Sequence, residues 1–194
     1  MSSEEWIRGC LPLPRRNLDA FNEPLAEDPL VLERVYFRSS SETPLQIASL
    51  VGRTNFAKEI IRRRPEFAIE LNKDGFSPIH MASANEYVEI VEELLMIQGG
   101  CNCSDCVAEV TFRSLTALHL AVKNNQFEAL KVLVQGHIGG QLLNAKDSNG
   151  NTVLHLAITL KQHQAVKFLL SNQTVNEEVE VNAKNASNFS LGCL

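Results

Sequence analysis

The sequence has no apolar run approaching the ~20 residues needed to cross a bilayer, which excludes a helical membrane span. Its opening, Met1-Ser2-Ser3-Glu4-Glu5-Trp6, is acidic and lacks the apolar segment of a secretory leader. Nor is there a basic excess: 18 Lys and Arg stand against 23 Asp and Glu, for a net charge of −5. Nucleic acid is held by cations that displace the counterions of phosphate, so no nucleic-acid partner is expected. The five cysteines are odd in number and too sparse for a disulfide framework, and are expected as reduced thiols of a cytoplasmic protein. Gly99-Gly100 and Gly139-Gly140 lack the strand-then-helix setting and the lysine of a phosphate loop, and read as turns. What is present is ordinary globular composition, 44% apolar and 21% charged, over a length suited to one domain or a short repeat array.

The informative feature is internal repetition. Four segments align: Thr43-Pro44-Leu45-Gln46-Ile47-Ala48, Ser77-Pro78-Ile79-His80-Met81-Ala82, Thr116-Ala117-Leu118-His119-Leu120-Ala121 and Thr152-Val153-Leu154-His155-Leu156-Ala157. Successive starts are 34, 39 and 36 residues apart, and a broken fifth start falls at Ser190. Each start leads into about nine helical residues, a break, and a second run with apolar residues at helical spacing. The second runs begin at Phe56, Val88, Phe127 and Ala165.

Thr or Ser at each start offers an oxygen to an unpaired N–H of the first helical turn. Pro44 and Pro78 then occupy the first helical position, where a missing N–H costs nothing. The small Ala at the sixth position lets the paired helices approach. Asp74-Gly75 and Asn149-Gly150 supply the positive φ of a tight turn before two of the starts. Arg62-Arg63-Arg64 places cations at the negative end of a helix dipole, and Pro65 stops that helix.

Thr43-Pro44-Leu45 and Ser77-Pro78-Ile79-His80, with Gly75 and Gly150 two residues before the cap, resemble the turn-plus-helix-pair signature of the ankyrin repeat. Tetratricopeptide repeats share the period but not this opening. The resemblance spans about residues 17–190 and implies an all-α helical-repeat solenoid with short β-hairpin-like turns. More narrowly, Glu27-Asp28-Pro29-Leu30-Val31-Leu32, Ser41-Glu42-Thr43-Pro44-Leu45 and Leu118-His119-Leu120-Ala121-Val122-Lys123-Asn124-Asn125-Gln126 resemble a plant ankyrin subfamily. Longer members of that subfamily carry a C-terminal membrane domain with a Pro-Gly-Gly motif and are associated with defence and stress signalling. Nothing in this sequence resembles that membrane domain, so membrane attachment is not carried over, although longer relatives or partners could bring such a chain to the cytoplasmic face of a membrane.

The expected organisation is an N-terminal tail over residues 1–16 and a repeat array over 17–194. The array comprises a degenerate half-repeat at 17–40, repeats starting near 43, 77, 116 and 152, and a truncated fifth repeat at 181–194, where Val181-Asn182-Ala183-Lys184-Asn185-Ala186 begins another hairpin. Three departures from the pattern stand out. Nine residues after the cap, where glycine is expected, stand Gly52, Glu86, Asn125 and Lys161; the Glu and the Lys are expected to cost about 1 kcal/mol each. The segment Thr111-Phe112-Arg113-Ser114 replaces the Asp-x-x-Gly turn within a long interval that reads as a splice where a repeat was lost. The last complete helix pair is expected to fray or to be capped by a partner, since terminal repeats normally carry a polar outer face.

Two constellations invite a chemical reading. Cys101-Asn102-Cys103-Ser104-Asp105-Cys106 has the spacing of three thiolate ligands, with a histidine or Cys193 as a fourth, but no second Cys-x-x-Cys pair closes the site. These read as loop cysteines, and neither a metal nor a cofactor is expected. His80, His119 and His155 recur at one phase of the repeat with no nucleophile or carboxylate recurring beside them. Recurrence points to a structural role, the imidazole bonding between a helix start and neighbouring turns. The sequence therefore predicts a non-enzymatic module that binds a protein partner on the concave surface of the stack, monomeric unless its open C-terminal end pairs. By position in the ankyrin pattern, the contact set is Lys73, Asp74, Phe76, Ala84, Asn85, Phe112, Arg113, Leu115, Lys123, Asn124, Ser148, Asn149, Asn151, Thr159 and Leu160, with Phe76, Phe112 and Leu115 as partly exposed anchors. The alternatives are a thiol- or metal-dependent activity at Cys101, Cys103 and Cys106, or a shortened form competing with a membrane-anchored signalling protein.

Overall fold

The computed structural model describes residues 42–100, 111, 114–136 and 140–171, with the backbone alone at 98–100, 140 and 141. The tail, the half-repeat at 17–40, the cysteine cluster and the fifth repeat lie outside the described residues. Helix α1 (Pro44–Val51) pairs with α2 (Thr54–Arg63), and a 3-10 turn at Pro65–Ala68 follows. Helix α3 (Pro78–Ala84) pairs with α4 (Val88–Gly100), and α5 (Ala117–Lys123) with α6 (Phe127–Gln135). A single helical turn, α7 (Gly140–Leu143), precedes the last pair, α8 (Val153–Thr159) and α9 (His163–Ser171). No strand occurs among the described residues.

Local chemistry sets the start of each inner helix. Thr43 Oγ1 accepts from the Gln46 N–H at 3.1 Å, while the Gln46 side chain accepts from the Thr43 N–H at 2.7 Å. In the other three pairs the reciprocal acceptor is a histidine. The N–H groups of Ser77, Thr116 and Thr152 donate to Nδ1 of His80, His119 and His155 at 3.2–3.3 Å. Two donors that a helix start leaves unpaired are thereby satisfied within four residues. Helix α2 stops at Arg63, as Pro65 dictates, and Arg62 and Arg63 lie in its last turn, paired with Glu59.

Each inner helix ends in a residue at positive φ. Gly52 (74°), Glu86 (59°), Asn125 (58°) and Lys161 (55°) all occupy the position expected nine residues after the cap. The residue immediately after each donates its N–H back to the same helix, at 3.0 Å for Tyr87 to Ala82 and 2.9 Å for Gln162 to Ala157. This reverses the chain within three residues and sends it into the outer helix.

The pairs stack in two layers. Helices α1, α3, α5 and α8 pack in that order to form the inner layer, and α2, α4, α6 and α9 form the outer one. Leu45, Ile60, Ile79, Ile90, Leu94, Leu118, Leu130, Leu133, Leu154 and Leu169 are fully buried, giving one continuous core along the stack. Its alanines Ala48, Ala82, Ala121 and Ala157 are the small residues of the repeat start, each completely buried. The long interval between the second and third starts does not interrupt the stack. Helix α3 packs directly on α5 and α4 on α6.

Candidate functional site

Three turns of one design precede α3, α5 and α8, and they display the tips of the array. In each, the first residue donates its N–H to the fifth residue's carbonyl: Asn72 to Phe76 at 3.0 Å, Thr111 to Leu115 at 3.0 Å, Asp147 to Asn151 at 2.9 Å. The fourth residue donates back to the first, from Gly75, Ser114 and Gly150 at 2.8–2.9 Å. A side-chain oxygen of the first residue then accepts the fifth residue's N–H, through Asn72 Oδ1, Thr111 Oγ1 and Asp147 Oδ1 at 2.8, 3.2 and 2.8 Å. The fourth residue has φ of +78°, +54° and +74° in turn. Thus the expected loss of the turn at Thr111-Phe112-Arg113-Ser114 does not occur. Thr111 replaces the Asx oxygen, and Ser114 accepts the left-handed conformation that glycine takes elsewhere.

The second and third residues of these turns are the tips. Lys73, Asp74, Ser148 and Asn149 are exposed there, whereas Phe112 and Arg113 lie outside the described residues. The fifth position behaves differently. Leu115, expected as a partly exposed anchor, is only 6% exposed: its peptide is tied on both sides to Thr111, which turns the residue back onto the stack. Phe76 is half-buried with its ring edge-on to His80, 6.2 Å between centroids, and Asn151 is half-buried with its amide 3.3 Å from Asp147 Oδ2.

A second row is formed by the residues seven and eight positions after each cap, at the ends of the inner helices and beside the positive-φ exits. Asn85, Lys123, Asn124, Thr159 and Leu160 are exposed and Ala84 is half-buried. Some of these side chains are tied to their own helix, Asn85 Nδ2 to the Met81 carbonyl and Thr159 Oγ1 to the His155 carbonyl, both at 2.8 Å. The sequence reading missed the first pair's members of this row. Leu50 and Val51 are 44% and 45% exposed, beside Leu160 at 46% toward the other end. Counting seven and eight residues from Thr43, as from the other caps, finds them. Lys123 is the one formal charge in this row among the described residues.

Histidine serves the framework beneath these rows. His119 is fully buried, its Nδ1 held by Thr116 and its Nε2 3.1 Å from the Asn151 carbonyl of the next turn. A carbonyl can only accept, so Nε2 carries the proton and Nδ1 is the acceptor. Burial holds the imidazole below its ordinary pKa. Gln46 performs the same bridging in the first pair, donating to the carbonyls of Glu70 (2.7 Å) and Phe76 (3.2 Å). His119 thus joins one repeat to the next, the kind of role its phase in the repeat implied. Among the described residues no cluster of metal-ligating groups occurs. The cysteines of the candidate metal site lie outside the described residues.

A two-layer stack of capped helix pairs with a repeated, exposed inner edge defines a helical-repeat scaffold. A family model described as Ankyrin repeats (3 copies) matches residues 27–106 and again 97–185. The chain belongs to the ankyrin-repeat family. No curated protein matches the chain. Ankyrin repeats are generally modules of protein–protein interaction and are typically non-enzymatic. None of the described helices is long and apolar enough to cross a membrane.

Proposed function

We propose that the protein binds a protein partner along the edge formed by the turn tips and the exits of the inner helices. One observation carries this reading. At equivalent positions of successive repeats, Leu50-Val51, Asn85, Lys123-Asn124 and Thr159-Leu160 stand at the surface, while the residues around them are committed to caps and core. Apolar side chains at both ends of such a row, with amides and one ammonium between them, suit a segment that spans several repeats. Partly exposed aliphatic groups rimmed by polar ones make effective contact points. The resemblance to the plant subfamily extends this to a role in defence or stress signalling, for which residues 27–32, 41–45 and 118–126 are the support. A shortened form that competes for the partners of longer relatives is a second version of the same binding reading.

The test is affinity capture with the whole chain as bait, in three versions. The parent and an outer-layer control, Met96→Asp on α4, where the side chain is exposed, retain the same partners. A triple variant, Leu50→Asp, Lys123→Glu and Leu160→Asp, loses them while keeping the parent's helical circular dichroism. Retention of every partner by the triple variant refutes the assignment. Serine at Cys101, Cys103 and Cys106 together leaves capture unchanged, whereas loss of a measurable activity would favour the thiol alternative.

A further inference from the structure

The turn before α8 carries the single Asn-Gly step of the sequence, Asn149-Gly150, and carries it at the surface. Asn149 is an exposed tip residue, and Gly150 has no side chain to shield its nitrogen. Such a pair reacts with itself. The Gly150 nitrogen attacks Cγ of Asn149: an N–C bond forms, the Cγ–Nδ2 bond breaks, and ammonia leaves with the proton that the Gly150 nitrogen gives up. Water then opens the resulting succinimide at either carbonyl, leaving aspartate or, with the main chain rerouted through Cβ, isoaspartate. Asparagine is a chemically labile residue for this reason.

We propose that Asn149 is a deamidation site held shut by its own turn, with Asp147 as the residue that holds it. The Gly150 N–H donates to the Asp147 carbonyl at 2.8 Å, which keeps the attacking nitrogen engaged and opposes loss of its proton. The Asp147 carboxylate, in a residue only 8% exposed, fixes the rest of the turn. Its Oδ1 accepts from the Asn149 and Asn151 N–H groups, both at 2.8 Å, and bonds to an ionised acceptor are the stronger kind. The succinimide closes only after the 149–150 peptide rotates toward the side chain, which breaks the Gly150 bond. Reaction therefore draws on the locally opened turn. The turn before α3 has the same bonds, from Gly75 to the Asn72 carbonyl and from Asp74 and Phe76 to Asn72 Oδ1, but Asp74 has no ammonia to lose. Either product at 149 puts a carboxylate two residues from that of Asp147. Isoaspartate also adds a carbon to the main chain between Asp147 and Asn151, so their paired bonds lose register. The change is one-way and turns a neutral tip of the array acidic.

The test follows the 194-residue chain at neutral pH by peptide mass spectrometry, which separates Asn149 from its aspartate and isoaspartate products. In the folded parent Asn149 converts at least about tenfold more slowly than in the same chain unfolded in urea. Asp147→Ala, which removes the Oδ1 acceptor, speeds conversion in the folded chain roughly tenfold, while Asp147→Asn, which keeps an oxygen there, stays within about threefold of the parent. Asn72→Ala strips the equivalent oxygen from the first turn and leaves the Asn149 rate unchanged. Equal rates in the folded and the urea-unfolded parent, a comparison that needs no variant, overturn the proposal. So does an Asp147→Ala rate no faster than the parent's. Acceleration by Asn72→Ala as large as that by Asp147→Ala also overturns it, because the reaction then runs through opening of the whole array.

Discussion

The starts of α1, α3, α5 and α8 carry Thr or Ser three residues before Gln or His, every one buried and hydrogen-bonded. The ends of the same helices carry Leu50-Val51, Ala84-Asn85, Lys123-Asn124 and Thr159-Leu160, which share no chemistry and are mostly exposed. A start must satisfy unpaired backbone donors away from water, which restricts it to side chains that accept at short range. At an exit the reversing chain meets the helix carbonyls, so no particular side chain is required there, although Asn85 and Thr159 bond back to their own helices. Binding specificity can therefore be written at the exits without disturbing the stack.

The comparison breaks most severely where an exit is not free. An ideal Cβ on Gly52 falls 2.3 Å from the Tyr87 ring, and φ there is +74°. Gly52→Ala is expected to cost roughly 2–4 kcal/mol from the left-handed backbone and the clash combined, measured by urea denaturation. A loss below about 0.5 kcal/mol would show that the ring moves aside and that this exit is as tolerant as the others.

At the starts, His119→Ala removes a cap acceptor and the bond to the next turn's Asn151 carbonyl, which keeps the Asp147 N–H, at an expected cost of about 1–2 kcal/mol. His119→Gln, copying Gln46, should recover most of that loss. The two variants also sharpen a pH effect. In the unfolded chain this imidazole takes a proton near 6.5, and in the folded chain only at lower pH, because burial disfavours the charge. Its contribution is therefore complete above about pH 6.5 and declines as the pH falls from there toward the folded value. Denaturation across that window should show a smaller decline for His119→Gln than for the parent; equal declines would place the titration elsewhere.

A smaller effect separates the non-glycine exits. Lys161→Gly relieves positive φ and should stabilise the array by about 0.5–1 kcal/mol. Glu86→Gly should gain less, because the Glu86 carboxylate also accepts from the Glu128 N–H at the start of α6, at 3.3 Å. Equal gains would mean that this bond contributes nothing. Smallest of all, Asn124→Ala should shift stability by no more than about 0.5 kcal/mol, as befits an exposed exit side chain.

Much of this was legible beforehand, because the signals are local. Pro44, Pro78 and the Thr or Ser caps marked where inner helices begin, and the nine-residue count from each cap found all four positive-φ exits. Thr111 and Ser114 hid a complete turn, since neither residue type announces that geometry; the bonds to Leu115 reveal it. Of the proposed contact residues, Leu115 was misjudged because adjacency to a tip does not settle which way a side chain is turned. Leu50 and Val51 are apolar, and their type alone does not distinguish an exposed exit from core.

Helix starts, breaks and periodicity were determined by the sequence itself, since capping and left-handed exits are decided among residues a few positions apart. Which side chains remain at the surface was decided only by stacking. The bond from His119 to a carbonyl 32 residues away, and the burial of Leu115 beside an exposed Leu160, exist because one repeat lies against the next. Contact with a neighbouring repeat is a property of the assembled array that no single segment contains.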